Sequence, residues 1–532
     1  MVKGFRQMAV LTLFSRILGL IRDMGYSYFF GTSGLMDSWT IAFKIPCLSR
    51  RVFGEGAASA SFIPVYSSQL ENDPAKAHTL ACTVVTALSV ILTAIVVLGE
   101  IVVVVWYLFF SNYESTNLTL QLTAIMMPYM VLICVAAILA GILNSHRRFA
   151  TTAISPILLN LIIIAALILS GIWAKEGSTL RVFITAIGVI IAGIAQLAIH
   201  IPALRSNGIY LRPAWQIRDE NFKKILFLMA PMLIGLTATQ FNTLADDLVA
   251  KFFSGSAEKG EFLMWFGHQI KYPIWEGSVS KLYYAQRLYQ FPLGVFGTSL
   301  ATAIFPVMSA EAGRKDYTGM LNTLSTGIKG AIFVALPATV GLILIGRPLV
   351  AVVFQQGQFT AAATQSTSFT LWFYAIGLMG FFSQQLFTLA FYSLHDSKIP
   401  AISACIAVSV NVVLNLTLIW FMGIAGLALS TSICSYLQVA ILIFMLRKKF
   451  KHPVLTGITP ILLKTAVATA IMFLAGWLAL RLMEDLPFSK KFDLLRLIST
   501  VVICAGTYIL LAKIMKNQML SLIIHRKAPL NK

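Results

Sequence analysis

Charged side chains are scarce in this sequence. Asp, Glu, Lys and Arg make up 12% of its 532 residues, where a soluble domain carries about 25%. Half that load cannot cover a globular surface of this size, so lipid is the solvent for most of the chain. Negative charge is scarcer still, with 21 acidic residues against 41 basic ones. A basic excess fits nucleic acid, anionic lipid or an anionic substrate. Nucleic acid is set aside as a partner, because many of the basic residues stand between apolar runs. The 6 cysteines include no CxxC pair. They read as small hydrophobes, not as a disulfide frame or a metal site. There is no HExxH, no Walker A loop and no nucleophile elbow. The expectation is a protein without covalent chemistry, hence not an enzyme. No clean signal peptide is present either: Arg16, Arg22 and Asp23 interrupt the first apolar stretch, which is expected to stay attached.

Apolar residues, by contrast, make up 58% of the chain. A bilayer core needs about 20 of them per helix. Fourteen stretches qualify, near residues 6–30, 35–66, 79–110, 119–143, 153–173, 181–203, 225–253, 282–311, 321–345, 362–394, 399–421, 424–446, 460–482 and 494–516. The expected fold class is an all-α membrane protein with about 14 transmembrane helices. Positive charge alternates along the connections. The even ones hold Lys76; Arg147 and Arg148; Arg205, Arg212, Arg218, Lys223 and Lys224; Arg314 and Lys315; Lys398; and Arg447, Lys448, Lys449 and Lys451. The tail adds Arg526 and Lys527. The odd connections are mostly poor in cations; residues 111–117 carry only Glu114. The positive-inside rule then puts both termini in the cytoplasm of a multi-pass plasma-membrane protein. The long connection from Ser254 to Lys281 is rich in aromatics and is expected to form an interfacial helix or a cap on the outer face.

The two halves echo each other. Phe43 to Pro46 (FKIP), Val52 to Gly54 (VFG) and Ala60 to Val65 (ASFIPV) form one series. Tyr289 to Pro292 (YQFP), Val295 to Gly297 (VFG) and Thr302 to Val307 (TAIFPV) form the other. A second echo pairs His146–Asn160 with His395–Asn411. An even number of spans per repeat gives both halves the same orientation, a parallel repeat with its axis along the membrane normal. The domains read as 1–220 (spans 1–6), 221–450 (spans 7–12) and 451–532 (two additional helices and a basic tail).

Charge is concentrated where it is most costly. The first two spans carry Arg16, Arg22, Asp23, Asp37, Lys44, Arg50, Arg51 and Glu55. Each charge at bilayer depth costs roughly 2.5–3.5 kcal/mol, so these groups pair or face water. Asp37, Lys44 and Arg51 fall seven residues apart and form one helical stripe. Arg51 and Glu55 are spaced to pair, and Arg16 shares a face with Asp23. Pro46 is placed to kink the span beside Lys44. Arg287 stands at the matching end of the second half. A cavity with surplus cations suits a diphosphate, which Arg grips bidentately. Interhelical salt bridges with snorkelling remain open as the other reading, above all for Arg50 and Arg51. A second polar set joins Asp246 to Asn411, Asn415 and Thr431. Two readings stay open for it: a small-cation site with oxygen ligands, or ordinary interhelical hydrogen bonding.

Several runs resemble the MurJ/MviN lipid II flippases of the MOP superfamily, in order and spacing through nearly the whole chain. They are Phe14 to Asp23 (FSRILGLIRD), Asp37, Phe43 to Pro46, Arg50 to Gly56 (RRVFGEG), Tyr283 to Arg287 (YYAQR), Phe354 to Phe359 (FQQGQF) and Phe391 to Lys398 (FYSLHDSK). The resemblance implies two six-helix lobes that alternate access around a cationic cavity, with the last two helices lining a groove for a lipid tail. It implies transport of lipid II, the undecaprenyl diphosphate-linked peptidoglycan precursor, from the cytoplasmic to the outer leaflet of the bacterial inner membrane. On that basis Arg22, Asp23 and Arg287 look like the diphosphate group. Arg16, Asp37, Lys44, Arg50, Arg51 and Glu55 look like the other substrate-cavity residues. Asp246, Asn411, Asn415 and Thr431 match a sodium site of some members, so sodium or membrane-potential coupling is the expectation, with no organic cofactor and a monomer working among membrane lipids. The chain departs from the family pattern at Gln286 and Gln290, where carboxylates are common, and at Asn415, where a sodium-binding member has Asp. The alternatives are another MOP-type exporter, either a polysaccharide-lipid flippase or a cation-coupled drug antiporter, and a polyprenyl-lipid transferase. A drug antiporter calls for an acidic cavity, and a transferase for a His or Asp pair that the sequence lacks.

Overall fold

The computed structural model describes residues 2–524 apart from 55–56, 111–112, 147, 266, 451–453 and 486–489. Glu55, Arg147, Lys451, Arg526 and Lys527 lie outside the described residues. The chain packs as two compact units, 1–280 with 356–358, and 281–355 with 359–532. This division is one of packing; the boundary near residue 220 is one of sequence repeat.

The first unit holds α1 (Val2–Phe30), α2 (Gly34–Ser49), α3 (Ala57–Asn72), α4 (Pro74–Phe109), α5 (Glu114–Met126), α6 (Tyr129–Ser145), α7 (Phe149–Trp173), α8 (Thr179–Arg205) and α9 (Glu220–Phe252). Helix starts follow local chemistry: Ser33, Asp73, Ser178 and Asp219 each cap the adjoining helix with a side-chain oxygen. Apolar side chains face outward as well as inward. On α4, Leu98, Val102, Leu108 and Phe109 are all more than half exposed, the pattern of a helix solvated by lipid. The second unit holds most of α10 (Ser278–Pro292), then α11 (Thr298–Gly313), α12 (Tyr317–Phe354), α13 (Ala361–Ile376), α14 (Leu378–Ser393), α15 (Lys398–Met422), α16 (Ile424–Phe450), α17 (Thr459–Leu482), α18 (Lys490–Ile514) and α19 (Gln518–Ile524). Phe333 of α12, Met472 of α17 and Tyr508 of α18 share one buried cluster. The Tyr508 hydroxyl donates to the Phe333 carbonyl at 2.6 Å, so the last two spans are fastened to α12.

Among the described residues, 10 helical stretches are long and apolar enough to cross a membrane, or 11 if the bent pair α13–α14 is one span. The three other expected spans are α1, the stretch α2–α3 and α9. They are helical too, and they carry the buried Arg22, Asp23, Asp37, Asp246 and Asp247.

The internal repeat has a structural signature. Each half interrupts its helix with a five-residue π-helical stretch, Arg50–Gly54 in the first and Leu293–Gly297 in the second. Both end on the Val-Phe-Gly triplet that the sequence repeats, and both lead into a helix with an internal proline, Pro64 and Pro306. A π-stretch adds a residue to one turn and rotates the rest of the helix about its axis, and it is frequent at functional sites.

The connection after α9 is not an interfacial helix. Two short sheets form it: β1 (Ser254–Gly255) pairs in parallel with β4 (Ile274–Trp275), and β2 (Phe262–Trp265) pairs antiparallel with β3 (His268–Lys271). Phe262, Trp265 and Ile270 favour extended backbone, and Gly267, at φ +83°, supplies the left-handed residue of the turn, so a hairpin wins over a helix. Glu258 fixes it to the rest of the unit by accepting from the backbone N–H groups of Glu114 and Ser115 at the start of α5.

Two glycines are required where segments of the first unit meet. Gly277 has φ +87° and Gly357 has φ +56°. A Cβ would collide with the carbonyl oxygen of Thr32 at the first and of Tyr28 at the second. Gly277→Ala and Gly357→Ala are each expected to destabilise the protein by more than about 1 kcal/mol. Gly313→Ala meets nothing within 4 Å and is the control. Thermal unfolding in detergent checks this; equal midpoints for all three variants would contradict it.

Candidate functional site

The charged stripe of the second span meets two segments: Asp37 the start of α10, and Lys44 and Arg51 helix α9. Asp37 and Lys44 lie two turns apart on α2, and Arg51 comes next within the π-helical stretch. The fully buried Asp37 carboxylate accepts from the backbone N–H of Gly277 and of Ser280, each at 2.8 Å, at the start of α10. Lys44 Nζ pairs with the buried Asp247 carboxylate and donates to the Thr243 carbonyl at 2.9 Å. Thr243 and Asp247 are one turn apart on α9, so a single ammonium bridges both. Arg51 is exposed and donates to Gln240 Oε1 at 3.2 Å. The expected Arg51–Glu55 pair cannot be placed, because Glu55 lies outside the described residues.

The first span supplies a second cluster. Arg22 and Asp23 are both buried, at 8% and 4% exposure. The guanidinium donates from Nε at 3.1 Å and from Nη2 at 2.8 Å to Asp23 Oδ1, and from Nη1 at 3.0 Å to Asn160 Oδ1. It also lies 5.6 Å from the Tyr26 ring centroid. Asn160 sits on α7, and its amide donates back to the Ser15 carbonyl of α1 at 3.0 Å. Gly19, between Ser15 and Arg22 on α1, lies against that amide, 3.7 Å from where a Cβ would stand. The result is a guanidinium held in a fixed plane inside a membrane helix. Arg16, two turns before Asp23 on α1, is exposed. Arg50 lines a cavity of about 360 Å³ within the unit, with Ser15, Asn144, Ser155 and Gln196 also in its wall. Arg50 is half-buried, and its Nε is shielded from solvent.

In the second unit Arg287 lies half-buried over the Tyr283 ring, 4.6 Å from its centroid, and donates to that hydroxyl at 3.2 Å. Gln286, where the family pattern has a carboxylate, is buried and donates to the Tyr374 hydroxyl at 3.0 Å. Asn411, Asn415 and Thr431 of the second polar set come together around Ser430. Asn411 donates to Ser430 Oγ at 3.2 Å and to Thr431 at 3.4 Å, Asn415 donates to Asn411 at 2.9 Å, and Ser430 donates to Asn415. Asp246 is fully buried on α9 of the first unit. Among the described residues no group of three or more His, Cys, Asp or Glu could hold a metal ion.

Asn160, Asp247, Gln240 and Tyr26 are partners that sequence reasoning did not assign. Asn160 had a signal: it ends the first-half echo whose second-half counterpart is Asn411.

Residues 26–498 match the family profile described as Lipid II flippase MurJ. The chain belongs to the MurJ family. A probable lipid II flippase MurJ of Vibrio cholerae serotype O1 is 32% identical over 451 residues, 82% of this chain and 80% of the relative. A solved lipid II flippase MurJ, in its inward closed conformation, matches with a TM-score of 0.75 and 26% identity over 96% of this chain and 99% of that one. A multidrug resistance MATE transporter of the MOP superfamily matches with a TM-score of 0.63 at 14% identity, covering 83% of this chain and 98% of that one. That last likeness shows the shared fold. The MurJ assignment makes the chain a multi-pass membrane transporter and not an enzyme.

The Lys44–Asp247 pair gives a direct test of the site's architecture. Lys44→Ala strands a buried carboxylate and is expected to cost about 3–5 kcal/mol. Lys44→Ala with Asp247→Asn removes both charges and is expected to recover most of that loss. A double-mutant cycle on unfolding in detergent reads it; a double variant as unstable as the single one would contradict the pairing.

Proposed function

We propose that this chain carries lipid II from the cytoplasmic to the outer leaflet of the inner membrane by alternating access. Membership of the MurJ family supports the substrate. The observation that carries the proposal is the buried Arg22 guanidinium, oriented by Asp23 and Asn160. Holding a cation in a spanning helix is costly, and a flat guanidinium is the group that binds phosphate oxygens in pairs. Arg287, braced on Tyr283, is the second proposed diphosphate ligand. Arg50 and Arg51 supply further positive charge, and Lys44, a proposed cavity residue, has its charge matched by Asp247. Asp37 and Asp23 act on the protein side, the first as a cap for α10 and the second as the counter-ion that fixes Arg22.

The alternation of basic connections supports both termini in the cytoplasm, and a monomer suffices because every proposed ligand lies on one chain. For the energy source, sodium or the membrane potential is the proposal. Asp246, Asn411, Asn415 and Thr431 offer oxygen ligands of the kind hard cations take. A cation-coupled drug antiporter is the weaker reading, because the cations concentrated here repel cationic drugs.

Complementation of a flippase-depleted cell, with lipid II measured separately in each leaflet, tests the proposal. The wild-type chain is expected to restore outer-leaflet lipid II. Arg22→Ala and Arg287→Ala are each expected to lower it by about a hundredfold while still inserting. Normal outer-leaflet lipid II in either variant would remove that arginine from the site.

A further inference from the structure

The last two spans build a second cationic cavity inside the second unit. It measures about 690 Å³ and lies among α12, α13, α17 and α18. Three arginines line it, one from each of three helices: Arg347 of α12, Arg481 of α17 and Arg496 of α18. Among the described residues Glu484 and Asp493 are the carboxylates of the lining, which gives those residues one net positive charge.

The three arginines differ in how they are held. Arg496 is 6% exposed. It donates to Asp493 Oδ1 at 3.0 Å and to the Met483 carbonyl at 3.3 Å and 3.1 Å. It is a brace between α18 and the end of α17. Arg481 is exposed and lies 5.2 Å from the centroid of the Trp477 ring, one turn earlier on α17. Arg347 is exposed on α12. The close approach of these helices starts below the cavity, at Gly476, where a Cβ would collide with Cys504 of α18 and Leu344 of α12.

Depth can be read from helix register. Arg347 is seven residues before the end of α12 and Arg496 six residues into α18, each about 10 Å along its axis at 1.5 Å per residue. Arg481 is one residue before the end of α17. Trp477, five residues before that end and about 7.5 Å along the axis, lies near the depth of Arg347 and Arg496, where interfacial tryptophans sit. Leu474, Leu478 and Leu482 of α17 and Leu494 and Ile498 of α18 are exposed on the same two helices. Cations with an aromatic at headgroup depth, and an apolar runway leading from them, fit a phosphate that bears a hydrocarbon chain.

We propose that this cavity binds the phosphate of a membrane lipid at the outer-leaflet headgroup level, with Arg347 and Arg481 as its ligands and Arg496 as the brace that shapes it. A single phosphodiester neutralises the net charge of the lining. A bilayer phospholipid and a polyprenyl diphosphate share a phosphate on a hydrocarbon chain, the diphosphate bringing more negative charge than the lining neutralises. The site shares no residue with the proposed diphosphate ligands Arg22 and Arg287, and its failure would leave the transport proposal standing.

Native mass spectrometry of the purified full-length chain tests it, with titrations of phosphatidylglycerol, undecaprenyl diphosphate and inorganic phosphate. Variants are Arg347→Gln with Arg481→Gln, which changes only exposed side chains, and Arg22→Ala as the comparison. At least one of the two lipids is expected to form a one-to-one adduct that the double variant weakens by about tenfold or more and that Arg22→Ala spares. Loss with phosphatidylglycerol alone assigns the site to bilayer lipid; loss with undecaprenyl diphosphate assigns it to a polyprenyl carrier. Inorganic phosphate binding as well as either lipid would overturn the lipid part. Lipid adducts unchanged in a double variant that melts like the wild type would overturn the site.

Discussion

A charge inside a bilayer is tolerable only when the protein itself supplies its solvation. That constraint organises the first unit. Lys44 has Asp247 and a carbonyl, Arg22 has Asp23 and Asn160, and Asp37 has two backbone N–H groups. Each arrangement joins elements far apart in sequence: α2 to α9, α1 to α7, and α2 to the start of α10. The polar groups that mark the site are thus also fasteners of the unit that carries it. A variant that removes one of them disturbs chemistry and packing together, and only a matched double substitution separates the two.

The same helices that carry charge also break regular geometry. The π-helical stretch Arg50–Gly54 places Arg50 toward an interior cavity and Arg51 toward α9. Its counterpart Leu293–Gly297 lies in the second unit at the repeated Val-Phe-Gly triplet. Two copies of a rare element at equivalent positions argue that the repeat preserves backbone shape as well as residue pattern. Asn160 and Asn411, paired by the second echo, have diverged in use. The first holds a guanidinium, whereas the second belongs to a network of neutral amides and hydroxyls.

Much of this is legible in the residues. Apolar run length gives the helices, and the seven-residue spacing of Asp37, Lys44 and Arg51 gives a stripe whose three members all bond to residues between Gln240 and Ser280. The partners are harder to read. Asp246 and Asp247 are adjacent and both buried, and nothing in the local pattern says which one turns toward Lys44. Asn160 is a single neutral amide in an apolar run, with no charge to advertise its role. Backbone donors such as those of Gly277 and Ser280 have no side-chain signature at all. The aromatics of the Ser254–Lys281 connection suggest a helix when weighed for membrane affinity alone; their β-propensity around Gly267 decides the outcome.

The central claim is that Arg22 serves as an oriented fork for a lipid diphosphate, and charge retention without the fork tests it most directly. Lipid II binding to the purified protein should be compared by native mass spectrometry between the wild type and Arg22→Lys. A lysine keeps the positive charge but cannot span Asp23 and Asn160 in one plane, so binding is predicted to weaken by about tenfold or more. Arg22→Lys binding lipid II as tightly as the wild type would contradict the account.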